Sequence, residues 1–153
     1  MFKIEIKTKE GFKDVRGEHI LSDINAIGIS CVSKAQYSPL YIIEGDIDFA
    51  NAEIIAKELL TDKITENYSI NNEDKNSFAA GSVEVWYKKG VTDTTSQSII
   101  KAVKDLGIDK QIKVKTGHKY YLYGKISKDI LNEIAVKLLA NTLIQEYKIE
   151  NYD

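Results

Sequence analysis

Cysteine occurs once in the 153 residues, as Cys31, so an intramolecular disulfide and a cysteine-rich metal site are both excluded. Pro39 is the only proline. No apolar run approaches the roughly 20 residues that a membrane-spanning helix needs. Histidine occurs only twice, as His19 and His118. Neither sign of charge dominates: 21 basic residues stand against 23 acidic ones, a formal net charge of −2. That balance gives no electrostatic reason to expect nucleic acid or anionic lipid as a partner. The glycines form neither GxxxxGK nor GxGxxG, and HExxH, CxxC and GxSxG are absent. MFKIEIKTKE at the N-terminus alternates apolar and charged residues, a strand pattern unlike that of a signal peptide. These absences lead to the expectation of a cytoplasmic protein with no metal, no cofactor and no catalytic residues.

What the chain does have is enough apolar content for a core, 43%, and an internal repeat. Shifted by 79 residues, the sequence aligns on itself without a gap. Gly11 falls on Gly90, Asp14 on Asp93, Gly28-Ile29 on Gly107-Ile108, Tyr41 on Tyr120 and Gly45 on Gly124. Ile55-Ala56 falls on Ile134-Ala135, and LLTDKITENY (from Leu59) on LLANTLIQEY (from Leu138). An ungapped repeat of this length sets the organisation before any fold is considered. The expected domains are residues 1–70 and 82–153, joined by the polar, aperiodic linker 71–81, NNEDKNSFAAG.

Each half has the same coarse pattern. Phe2, Ile4 and Ile6 alternate with charged residues, and Val83, Val85 and Tyr87 take the matching positions in the second half, which predicts a strand. Asp14 and Asp93 stand where a short acceptor caps a helix. Ile20, Leu21, Ile24 and Ile27, with their counterparts Ile99, Ile100, Val103 and Leu106, predict the helix itself. Gly28 and Gly107 end it in the left-handed conformation. Two strands follow in each half, with turns expected at Ser38-Pro39 and Gly117-His118. A second helix carries Ile55 and Leu59, or Ile134 and Leu138, and a last strand ends on Ile70 or Ile149. The order β-α-β-β-α-β predicts an α+β fold of two ferredoxin-like units packed as an intramolecular pseudo-dimer. At the corner after the second helix, Asn141 is expected at positive φ, with Leu143 or Ile144 folding back under the helix end.

Chemistry is sparse. His118 falls in an expected turn and reads as a solvated side chain. As a base it would need an orienting acid that the sequence does not reveal. RNA-binding modules share the ferredoxin-like class, but their glycine-aromatic signature is missing. Charge is uneven between the halves: residues 1–70 sum to −4 and residues 82–153 to +3. Lys110, Lys113, Lys115 and Lys119 cluster where the first half keeps only Lys34. The turn Gly117-His118-Lys119, with Lys113 and Lys115, is therefore the candidate partner-binding surface.

The second half also resembles a known family. LLANTLIQEY looks like the C-terminal corner of PurS, the small subunit of phosphoribosylformylglycinamidine synthase. VEVWYKKGVTDTTSQSIIKAVKDLGI (from Val83) resembles that family's first strand and helix, and KVKTGHKYYLYG (from Lys113) its central hairpin. Thr94 and Ser96 depart from the usual proline and glycine at the helix start. The first half keeps the glycine as Gly17 and is more diverged. The resemblance implies a non-catalytic subunit or domain that bridges the large synthetase and the glutaminase in purine synthesis, as a pseudo-dimeric monomer or a further homo-oligomer. A small-ligand-binding regulatory module of ferredoxin-like fold is the alternative.

Overall fold

The computed structural model describes residues 1–72 and 78–152. Residues 73–77 of the expected linker lie outside the described residues. The elements are β1 (Phe2–Thr8), α1 (Val15–Ala26), β2 (Val32–Gly45), α2 (Phe49–Ile55), β3 (Glu66–Ile70), β4 (Gly81–Tyr87), α3 (Thr94–Asp105), β5 (Ile112–Gly124), α4 (Lys128–Ile134) and β6 (Gln145–Asn151). Both α2 and α4 run on into a single π-helical turn, Ala56–Leu60 and Ala135–Leu139. Val15 and Thr94, Phe49 and Lys128, and Ala56 and Ala135, which open equivalent elements, stand 79 residues apart. The fold is α+β, with a six-stranded antiparallel sheet in the order β3-β1-β2-β5-β4-β6.

The expected turns do not form. β2 and β5 are continuous strands of 14 and 13 residues, so each half reads β-α-β-α-β. Gly117 is not among the glycines at positive φ, and Ser38 is buried. Proline's fixed φ suits extended backbone as well as a turn. Both dipeptides lie inside extended strand and do not reverse the chain.

The helix boundaries follow their caps. The Asp14 carboxylate accepts from the Gly17 N–H at 2.8 Å, and that of Asp93 from the Ser96 N–H at 3.0 Å. Asp48 and Asn51 form a reciprocal capping box at the start of α2. Gly28 and Gly107 follow α1 and α3 with φ of +90° and +91°, the left-handed ending that only glycine adopts cheaply.

The chain divides into two compact units that do not follow chain order. The first holds β1, β2 from Pro39, α2, β3, α3 and β5 as far as Gly117. Its core packs Ile4, Ile6, Ile43 and Val114 of the strands against Ile55, Ala56, Ile99 and Val103 of the helices. The second holds α1, β2 as far as Ser38, β4, β5 from His118, α4 and β6. Its core packs Val83, Val85, Tyr120 and Leu122 against Ile20, Ile24, Leu131 and Ile134. The first helix of each sequence half thus buries its apolar stripe in a core supplied mainly by the other half.

The corner after the second helix differs from expectation in detail. Asn71 is the one non-glycine residue at positive φ among the described residues, so Asn141 does not end its helix that way. Its side chain instead accepts from the Leu143 N–H at 3.2 Å, while its own N–H donates to the Gln145 side chain at 2.9 Å. Leu143 does not fold under the helix: it is 85% exposed. Asp62 and Glu66 make the same pair of bonds at the other corner, where Ile64 is 74% exposed.

Candidate functional site

Strand parity puts Lys113, Lys115, Gly117 and Lys119 together, but their burial differs. Lys113 and Lys115 lie two apart on β5 and are both exposed, so their ammonium groups share one face. Gly117 and Lys119 are buried. The Lys119 ammonium lies 5.0 Å from the centre of the Tyr121 ring, a cation–π contact that accommodates a charge at 8% exposure. His118 has the opposite parity. With the expected turn absent, it is half-buried and not a solvated loop residue. Lys113, Lys115 and Gly117 belong to the first unit, and His118 and Lys119 to the second.

The surroundings of His118 were not legible in the sequence. Its Nδ1 is hydrogen-bonded to the Tyr37 hydroxyl. The Tyr37 ring packs against Tyr120 with centroids 5.3 Å apart, and the Arg16 guanidinium sits 4.7 Å from the centre of the Tyr37 ring. Burial pushes the Tyr120 hydroxyl pKa up, and Arg16 beside it opposes this only in part, so the phenol stays protonated. Asp14 ties this group to the helix start, because its second carboxylate oxygen accepts from the Tyr37 N–H at 2.9 Å. Across the 79-residue shift, Arg16, Tyr37 and His118 correspond to Thr95, Thr116 and Pro39. Three members of the cluster therefore stand where the repeat fails, while Tyr120 and Asp14 keep their counterparts Tyr41 and Asp93.

The first unit fastens its helix differently. Asp93 accepts from both the N–H and the hydroxyl of Thr116, at 3.0 and 2.8 Å. Ser96 replaces the glycine of the other half and donates its hydroxyl to the Val114 carbonyl. In the second unit, a Cβ on Gly17 would lie 2.4 Å from the Ala35 carbonyl oxygen. Gly17→Ala should therefore cost about 2–4 kcal/mol through overpacking against backbone. Ser96→Ala should cost only about 1 kcal/mol, the net worth of one hydrogen bond. Urea denaturation of both variants tests this, and equal losses would refute the steric account.

Among the described residues no group of three or more His, Cys, Asp or Glu is arranged to hold a metal, and no helix is long and apolar enough to cross a membrane. Compared with known families, residues 81–153 match the PurS profile, described as phosphoribosylformylglycinamidine (FGAM) synthase. These residues form a PurS-family domain. The match covers β4, α3, β5, α4 and β6, and so includes Lys113, Lys115, Gly117, His118 and Lys119. No curated protein matches the chain. A PurS-family domain implies a role in FGAM synthase and in purine biosynthesis.

Proposed function

We propose that the chain is a tandem PurS-like subunit or domain, with repeats at 1–70 and 82–153, and that it acts as a non-catalytic bridge in FGAM synthase. It joins the large synthetase to the glutaminase, so that ammonia released from glutamine is used in the ATP-driven conversion of formylglycinamide ribonucleotide to the amidine. One observation carries this reading: the elements of the PurS match recur 79 residues earlier in the same order. Linking two copies makes their association intramolecular and independent of concentration. It also lets each copy carry its own surface, which identical subunits related by symmetry cannot do. The −4 and +3 charges of the two halves fit that specialisation.

Reconstitution tests the role. Synthetase and glutaminase without this chain should lose most glutamine-dependent product formation while keeping activity with free ammonia. Undiminished glutamine-dependent turnover in its absence would refute the bridge. The contact surface is tested separately by Lys113→Glu together with Lys115→Glu. Both side chains are exposed, so the double variant should fold normally. Reversing two charges at an interface should weaken capture of one partner at least tenfold, with a steeper loss at low salt. Unchanged binding to both partners would remove this face of β5 from the interface.

A further inference from the structure

Among the described residues, β6 ends the sheet and pairs only with β4. Its backbone phase is fixed at both ends. The Ile144 carbonyl accepts from the Lys88 N–H, and the Tyr152 N–H donates to the Ala80 carbonyl, each at 2.9 Å. Residues of an antiparallel ladder alternate in the direction of their backbone groups. The even-numbered residues of β6 therefore bond to β4, while the N–H and carbonyl of Tyr147 and Ile149 and the carbonyl of Gln145 face outward. The Gln145 N–H is held by the Asn141 carbonyl at 2.7 Å. An outer row of this kind is a template for another strand.

The side chains of this edge carry a specific pattern. Glu146 and Lys148 are exposed and two residues apart, so they share one face. Neither makes a hydrogen bond or ion pair among the described residues. Glu84 stands opposite Lys148 on β4, but its carboxylate accepts from the Trp86 indole N–H at 2.9 Å. The equivalent positions of β3, which ends the strand order on the other side, hold the uncharged Asn67 and Ser69. Exposed apolar residues also border β6: Val136 in the π-helical turn, and Leu143 and Ile144 just before the strand. Val136 and Ile144 correspond to the polar Lys57 and Thr65. The second half thus has a paired-charge edge with an apolar border that the first half lacks.

We propose that β6 is a docking edge for a second copy of this chain, which adds to it antiparallel about a two-fold axis through Tyr147. That register sets Tyr147 against its own copy, Gln145 against Ile149, and Glu146 against Lys148 twice over. About four backbone hydrogen bonds close it, and the charges fall at the non-hydrogen-bonded positions, where opposed side chains approach most closely. Charge selects this register. An axis through Lys148 opposes Lys148 with itself and Glu146 with Glu150. An axis through Ile149 leaves Gln145 and Glu146 beyond the end of the partner's β6. A lone lysine on an edge deters every pairing, whereas Glu146 with Lys148 deters the wrong registers and favours one. The interface is small and of the transient class, so the chain is monomeric in dilute solution and pairs at high concentration. The pairing needs only this chain, and it stands or falls independently of the bridging role.

Sedimentation equilibrium of the full chain, from micromolar to millimolar concentration, tests it. A monomer–dimer equilibrium that weakens with salt is expected. Glu146→Lys and Lys148→Glu should each weaken it about tenfold, because each opposes like charges. Mixed in equal amounts, these two variants should associate with each other about as tightly as the unchanged chain does with itself, since every lysine then meets a glutamate. The double variant, Glu146→Lys with Lys148→Glu, should recover self-association. Asn67→Lys, on β3, should change nothing. Circular dichroism of each variant checks its fold, and Glu146→Gln, the milder change, should weaken pairing several-fold. A chain that stays monomeric throughout, a dimer indifferent to both single reversals, or folded single variants that fail to associate when mixed would each overturn the pairing. Reduced capture of the synthetase or the glutaminase by these variants, in a chain that stays monomeric, would overturn the second copy as occupant and give the edge to that partner.

Discussion

Residues 78–153 alone, without the preceding half, should fold only in proportion to their concentration. The second unit is completed by α1, which lies in the first half of the chain. Ile20 and Ile24 of that helix are 8% and 0% exposed in its core. Each fully buried isoleucine contributes about 1.5–3 kcal/mol, so their loss removes much of the 5–15 kcal/mol that typically stabilises a domain. The isolated segment still carries its own α3, whose Ile99 and Val103 are buried in the first unit of the intact chain. With no first unit to fill, that helix can complete the core of a second copy. The melting temperature of 78–153 should therefore rise with protein concentration, whereas that of the intact chain should not. Adding residues 1–72 in trans should restore cooperative unfolding. A monomeric 78–153 with a sharp, concentration-independent transition would show that α1 is dispensable to that core.

Gly124→Ala should be among the most damaging small substitutions. Gly124 has φ of +129°, and a Cβ there would lie 2.2 Å from the Cys31 carbonyl oxygen. Backbone strain of about 1–3 kcal/mol then adds to a clash with an atom that cannot rotate away. A total loss of about 3–5 kcal/mol is expected, at the upper end for single substitutions. Gly45, with φ of +123° and the Gln111 oxygen at 2.3 Å from the same added atom, should behave alike in the first unit. Gly107→Ala is the control. Its φ is +91°, but nothing lies within 4 Å of an added Cβ, so only the conformational cost of about 1 kcal/mol remains. Urea midpoints of the three variants measure the difference. Comparable losses at Gly124 and Gly107 would mean that φ alone, and not the close approach, governs these sites.

Local chemistry was legible where a single residue type settles a single backbone need. Asp14 and Asp93 cap their helices, and Gly28 and Gly107 end them, as their positions in the pattern require. The turns at Ser38-Pro39 and Gly117-His118 misled because their residues favour reversal without enforcing it. The alternation on either side of each dipeptide is equally compatible with one long strand. The site was less legible for a related reason. Lys113 and Lys115 are exposed neighbours, as period-two spacing dictates. The contacts of Tyr37 with His118, Tyr120 and Arg16 join residues from α1, β2 and β5, which no local pattern links.

The sequence by itself determined the helices, their recurrence 79 residues apart and the PurS likeness of the second half, because capping, periodicity and glycine placement act within a few residues. Only the tertiary structure decided which helix fills which core. An amphipathic stripe such as Ile20-Ile24 specifies that it must be buried, but any apolar sheet face of suitable size satisfies it. In the structure α1 fills the core of the second unit and α3 that of the first.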